Sequence, residues 1–187
     1  MNHYTYGLEL KCLGRYLQTN GKIMMEKRAL YDKDRNLTRE WIYKNDPVPI
    51  GRYYITVAIW IQNSKNEFLL QLRSPQKDHK WGITGGHPKL GEDSLQGIIT
   101  EIKEEIGINV NPSDLILFKT IQTADDFVDL YYIKKDIDIS DIVVQPDEVE
   151  RVAWVSRVDI EAKITDGSFQ REQVFMYDEF FKWLDNS

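Results

Sequence analysis

A single cysteine, Cys12, stands in 187 residues, so no intrachain disulfide framework can form and the chain suits a reducing compartment. Long apolar runs are also missing. The longest, Ile55 to Ile61, falls far short of the roughly 20 residues that cross a bilayer. Nor is there a basic stripe: 24 Lys and Arg against 30 Asp and Glu leave a net charge of -6, which argues against a nucleic-acid polymer or an anionic membrane as the main partner. Internal repeats and low-complexity segments are lacking. The first residues have no signal-peptide apolar core, so a cytoplasmic location is expected. What remains is 42% hydrophobic with scattered charge, a globular composition long enough to bury a real core.

Punctuation along the chain predicts mixed α/β structure. Ala29 to Asp32 and Glu40 to Tyr43 read as short strands about a turn, and Pro47 to Pro49 is a break. Tyr53 to Gln62 reads as a central strand, joined through a hairpin turn at Asn63 to Asn66 to a partner strand, Glu67 to Arg73. Further strands are expected at Trp81 to Thr84, Leu115 to Thr123, Phe127 to Lys134 and Val149 to Val155, with helices at Val158 to Ile164 and Arg171 to Leu184. Residues 1–24 read as an N-terminal extension and 25–187 as one domain.

The chemistry concentrates between residues 84 and 108. Leu95, Ile98, Ile99, Ile102 and Ile106 recur as on a helix with one buried face. At about 100° per residue, Glu101, Glu104 and Glu105 lie within roughly 100° of one another, with Glu105 beside Ile98 at the shoulder of the apolar stripe. Carboxylates so close repel, and burial raises that cost. Mg²⁺ or Mn²⁺, which take oxygen ligands, relieves both. An acidic helix flank is the ordinary reading of a lone Glu-Glu-x-Gly. Here Thr84-Gly85-Gly86 precedes the helix and lets backbone approach a ligand closely, while Gly107 stands where helices stop. Loop, helix and carboxylates agree on a metal and phosphate site.

This pattern resembles the Nudix box, G-x5-E-x7-R-E-U-x-E-E-x-G-U with U aliphatic. Gly86, Glu92, Glu101, Ile102, Glu104, Glu105, Gly107 and Ile108 match at the right spacing, over 23 of the 187 residues. The resemblance implies a Nudix-type α/β/α sandwich with a mixed β-sheet. It also implies a metal-dependent hydrolase that cleaves the pyrophosphate bond of a nucleoside diphosphate linked to another moiety, or of a related organic pyrophosphate. Glu101, Glu104 and Glu105 would be metal ligands, one of them serving as the base, with the Gly85 carbonyl completing the shell. Glu148, on a loop before a strand, is a further candidate ligand. Glu92 would hold helix and loop in register. Gly86, His87, Arg73 and Arg52 are candidate substrate contacts, and Lys77, Lys80, Tyr53, Tyr54, Trp60, Trp81 and Phe127 could add phosphate or base contacts.

One box position departs from the pattern: Thr100 stands where the family has Arg, which there pairs with box carboxylates. Thr has neither the charge nor the fork of donors, and Lys103 points elsewhere on the wheel. Reduced activity, a stronger dependence on metal, or a Nudix-fold binding or regulatory module are the alternatives this opens. Trp81 to Glu92 is also similar to the Gly-His-Pro loop of isopentenyl-diphosphate isomerase. That enzyme needs a cysteine just before the loop, where this chain has Gly85, and lacks the full glutamate set. An isomerase-like branch of the hydrolases is therefore expected, without isomerase activity. Expected partners are a small-molecule diphosphate and, as an open alternative, a second copy of the chain in a homodimer.

Overall fold

In the computed structural model, residues 16–19 and 22–187 are described, with side chains from Glu26 onward. Cys12 and most of the expected N-terminal extension lie outside them. Alternation along β5 (Tyr54–Gln62) organises the molecule. Val57, Ile59 and Ile61 belong to one buried cluster and Ala58 and Trp60 to another. A strand buried on both faces must sit mid-sheet under two layers. Its parallel partner is β10 (Asp126–Lys134), with Val57 opposite Asp129. On β10's other edge runs β9 (Ile116–Gln122), antiparallel.

On the opposite side β5 turns into β6 (Phe68–Arg73) through the expected hairpin. Asn66 there adopts φ 62°, and the Asn63 side chain accepts from the Lys65 and Glu67 amides, each at 2.9 Å. These two strands share only one register pair, Gln62 with Phe68, before they splay. Into the gap run β7 (Trp81–Gly82), paired with β6, and β8 (Thr84–Gly86), paired with β5. The single strand expected at Trp81 to Thr84 is thus two, because its halves answer to different neighbours. β11 (Val149–Val155) closes the far edge against β6, giving the order β11-β6-β5-β10-β9. Smaller hairpins are β1 (Tyr16–Thr19) with β2 (Lys22–Met25) and β3 (Lys27–Tyr31) with β4 (Leu37–Tyr43). Tyr31 exchanges backbone hydrogen bonds with Tyr53, at 2.7 and 2.9 Å, which joins the second hairpin to the start of β5.

Helix α1 (Ser94–Ile106) covers one face of the sheet. Asp93 caps it in a reciprocal box with Gln96, and Gly107 ends it in the left-handed conformation. Ile98, Ile102 and Ile106 are wholly buried under it. Each contributes roughly 1.5–3 kcal/mol by leaving water. The other face carries α2 (Arg157–Thr165), through Ile160, and α3 (Val174–Leu184), whose first expected turn is instead a short 3-10 segment, Arg171–Gln173. Phe180 stacks on Trp60 with ring centroids 4.7 Å apart and planes 7° from parallel. Trp60 is therefore core and not a base-stacking surface. Helices on both faces of a mixed sheet make the α/β/α sandwich. Among the described residues no helix is long and apolar enough to cross a membrane.

Candidate active site

The splay of β5 from β6 brings the β8 glycines over α1. The helical period that sends Ile98, Ile102 and Ile106 into the core carries Glu101 and Glu105 in behind them, to 2% and 5% exposure. Glu104 keeps about a third of its side chain exposed. Gly86 lies directly on Glu101: a Cβ there would fall on the Glu101 carboxyl group and push it from its place. The next amide, His87 N–H, donates to Glu101 Oε1 at 3.3 Å.

Glu105 is reached from the sheet. Gln71 on β6 donates through Nε2 to Glu105 Oε2 at 2.9 Å, and Thr84 Oγ1 donates to Gln71 Oε1 at 3.1 Å, which fixes the amide's orientation. The C-terminal end of α1 in turn anchors the loop before β11: Val143 N–H donates to the Ile106 carbonyl at 3.3 Å and Gln145 N–H to that of Glu105 at 3.0 Å. Ser74 holds the loop's other side, its amide donating to the Glu148 carbonyl at 2.9 Å and its hydroxyl to that of Asp147 at 2.8 Å. Glu148 is thereby buried near the helix end, with Lys77 Nζ at 3.1 Å from Oε2.

Thr100 and Glu92 meet in a way the sequence does not disclose. Thr100 Oγ1 donates to Glu92 Oε1 and Lys89 N–H to Oε2, each at 2.8 Å, so Glu92 ties loop to helix. Lys89 then reaches across with its ammonium to Glu104 Oε1. A cation does meet the box carboxylates, but it comes from the loop and not from position 100. His87 accepts on Nδ1 from Arg28 Nη2 at 3.1 Å and packs against Tyr54, ring centroids 5.3 Å apart. Of the other basic candidates, Arg52 pairs with Glu40 and Arg73 with Asp78 at 3.4 Å, each beside its own strand end. Trp81 lies under two cations, Lys163 Nζ at 4.9 Å and the Arg151 guanidinium at 5.3 Å. Gln71, Lys89 and Arg28 are the residues that sequence reasoning missed.

As the side chains stand, no three His, Cys, Asp or Glu among the described residues converge in the manner of a finished metal cage. The reason is local. Glu104 turns to the Lys89 ammonium, Glu105 to the Gln71 amide and Glu101 to the His87 amide. The donor set nonetheless suits a hard divalent cation. It is all oxygen, and two of its carboxylates are buried where an ionised group needs compensation.

Three comparisons bear on this arrangement. The NUDIX domain model matches residues 52–176. An uncharacterised Nudix hydrolase of Listeria innocua is 30% identical over 149 residues, covering 78% of this chain and 88% of that protein. Isopentenyl-diphosphate isomerase of Pectobacterium atrosepticum is 32% identical over only 62 residues, 31% of this chain and 35% of that one. Among solved structures, a Deinococcus radiodurans protein superposes with a TM-score of 0.67 at 18% identity, over 80% of this chain and 94% of its own, a likeness of fold.

Proposed function

The chain belongs to the Nudix family, and on that footing we propose that it is a metal-dependent hydrolase. Its substrate is a nucleoside diphosphate linked to another moiety, or a related organic pyrophosphate. The observation that carries this reading is the burial of Glu101 directly beneath Gly86 and of Glu105 one turn further along α1, with Glu104 partly exposed beside them. Charged carboxylates held in that position are costly unless a cation joins them.

Glu101, Glu104, Glu105 and Glu148, with the Gly85 carbonyl, would hold Mg²⁺, or Mn²⁺ in its place. The bound ion would shield phosphate charge and lower the pKa of bound water. The rest falls to the protein. Water attacks phosphorus, a new P–O bond forms as the bridging P–O bond breaks, and the leaving phosphate keeps the electron pair. Glu104, the most exposed of the three, is best situated to accept the water's proton and return it to solvent. Gln71 holds Glu105 and the His87 amide holds Glu101, so neither carboxylate swings freely. Gly86 and His87 line the approach for phosphate oxygens.

The test is a panel of diphosphate compounds assayed for released phosphate with Mg²⁺ or Mn²⁺. Turnover of at least one compound, abolished by EDTA and restored by excess metal, is expected. A folded protein silent across the panel would instead favour a Nudix-fold binding module, to which Thr100 in the arginine position lends support.

Lys89 bears on that choice. In this reading it does the orienting work of the box arginine, so Thr100→Arg in the otherwise unaltered chain should change kcat/KM less than about threefold. Lys89→Met should lower kcat/KM about tenfold, the equivalent of one lost charge-assisted contact. Stability should shift by less than about 1 kcal/mol, because the Lys89–Glu104 pair is half-exposed. Thr100→Arg added to Lys89→Met should recover most of the loss. A double variant no better than Lys89→Met alone would show that Lys89 and position 100 do different jobs.

A further inference from the structure

Arg28 lies on β3, ahead of the region that the family model matches, and is only 8% exposed. A guanidinium offers five donors and no acceptor. One donor, on Nη2, goes to His87 Nδ1; Nε is buried with no hydrogen-bond partner among the described residues. Glu26, Glu101 and Asp126 stabilise the charge through space, and Tyr54 does likewise, but none of them hydrogen-bonds to it. All three carboxylates have other partners: Glu26 is paired with Lys44 at 3.3 Å, Glu101 accepts from the His87 amide at 3.3 Å, and Asp126 accepts from Thr56 at 2.5 Å and from Thr123. Burial works against the cation and pulls its pKa below the ordinary arginine value. Arginine does not escape by deprotonating, so a buried guanidinium with an unfilled donor is a standing cost to the fold.

The surroundings aim this cation. Its guanidinium carbon lies 5.1 Å from the centre of the Tyr54 ring, and the His87 ring packs on the same tyrosine. Because a guanidinium only donates, His87 Nδ1 is the acceptor and the ring hydrogen sits on Nε2. The backbone amide of the same His87 binds Glu101 Oε1. Arg28 and Glu101 therefore meet at one residue of the Gly86–His87 loop, a positive fork beside the proposed cation-holding carboxylates.

We infer that Arg28 is a substrate-binding residue whose fork takes phosphoryl oxygens of the diphosphate, with Tyr54 and His87 as its positioning residues. This rests on the hydrolase reading above and adds to it a specific anion subsite supplied by β3. Planar bidentate recognition of phosphate is what arginine does and lysine does not. A purely structural role, tying β3 to the loop through His87, is the competing account, and the two differ in the sign of their effect on stability.

The experiment uses the full chain, with Arg28→Met, which nearly keeps the volume, and Arg28→Lys, which keeps the charge. Methylenediphosphonate, a diphosphate core that cannot be hydrolysed, is titrated by calorimetry with Mg²⁺ present, and thermal melting is followed in parallel. The expected result is a 10- to 100-fold loss of affinity in Arg28→Met, the range of a lost charged hydrogen-bond pair. A smaller loss is expected in Arg28→Lys, and the melting temperature of Arg28→Met should be unchanged or higher. In turnover assays the loss should fall on KM more than on kcat. Unchanged methylenediphosphonate affinity in Arg28→Met, beside an unaltered chain that binds it, would overturn the inference alone; so would a lowered melting temperature with affinity intact. An unaltered chain that neither binds the probe nor turns over any diphosphate would overturn the hydrolase reading as well.

Discussion

Glu105→Gln is expected to cut turnover by about 10³-fold while leaving the protein folded. The rate follows from removing one of the charges proposed to hold the cation, an effect of several kcal/mol at one decade per 1.36 kcal/mol. Folding should tolerate the change for a reason visible in the site. Glu105 is 5% exposed, a position where a charged side chain gains little, and glutamine keeps an oxygen that can accept from Gln71 Nε2. The melting temperature without metal should therefore be unchanged or slightly raised. Adding Mg²⁺ separates the two proteins. A ligand bound only by the native state stabilises by about 2.7 kcal/mol at a hundred times its dissociation constant, and the variant should lose most of that gain. Turnover at the unaltered rate, with the same Mg²⁺-dependent rise in melting temperature, would take Glu105 out of the metal site.

What could be read in the sequence, and what could not, divides along contact distance in the chain. Helix α1 was legible because its evidence is local: apolar residues recur every three or four positions, and Gly107 stands at its end. The same periodicity sets Glu105 beside Ile98, so its nearness to the core could be counted out, whereas the burial of Glu101 under Gly86 could not. Val149–Val155 was legible to the residue, its β-branched and aromatic residues lying between turn residues and the helix cap Ser156. The break between β7 and β8 was not, because it depends on the splay of β5 from β6, a property of the sheet. Nor were the partners of the site. Gln71 meets Glu105 across 34 positions and Arg28 meets His87 across 59, and no spacing rule links such pairs. Lys89 was closer, 15 positions from Glu104, yet it acts from a loop whose course is set by Glu92 and Thr100. For Thr100 the sequence disclosed the lost arginine but not the relocated charge, since wheel geometry surveys only the helix itself.

Asp129→Ala should be the most destabilising single substitution at the sheet's centre, costing about 3 kcal/mol. Asp129 is wholly buried on β10, opposite Val57, and its carboxylate joins three parts of the fold. Arg35, at φ 63° in the turn between β3 and β4, grips both oxygens, with Nη1 at 2.8 Å from Oδ1 and Nη2 on Oδ2. Thr120 on β9 donates to Oδ1 at 2.6 Å, and Ser94, the first residue of α1, donates to Oδ2 while lying 2.8 Å from the Tyr131 hydroxyl. Alanine would leave a guanidinium, two hydroxyls and a void together. Removing one partner of a buried pair costs about 3–5 kcal/mol, and the lower figure applies because Arg35 keeps 30% of its side chain exposed and can recover water. In a chain of this length that corresponds to a fall of roughly 6–12 °C in melting temperature. Asparagine should do little better despite its shape, since its amide would turn N–H groups toward donors on whichever side it faced. Because Ser94 opens the helix that carries Glu101, Glu104 and Glu105, activity measured well below the melting point should fall as well. A melting temperature within 2 °C of the unaltered chain would mean that water replaces Asp129 without loss, and that the hairpin, the sheet and α1 are held in register by their apolar contacts alone.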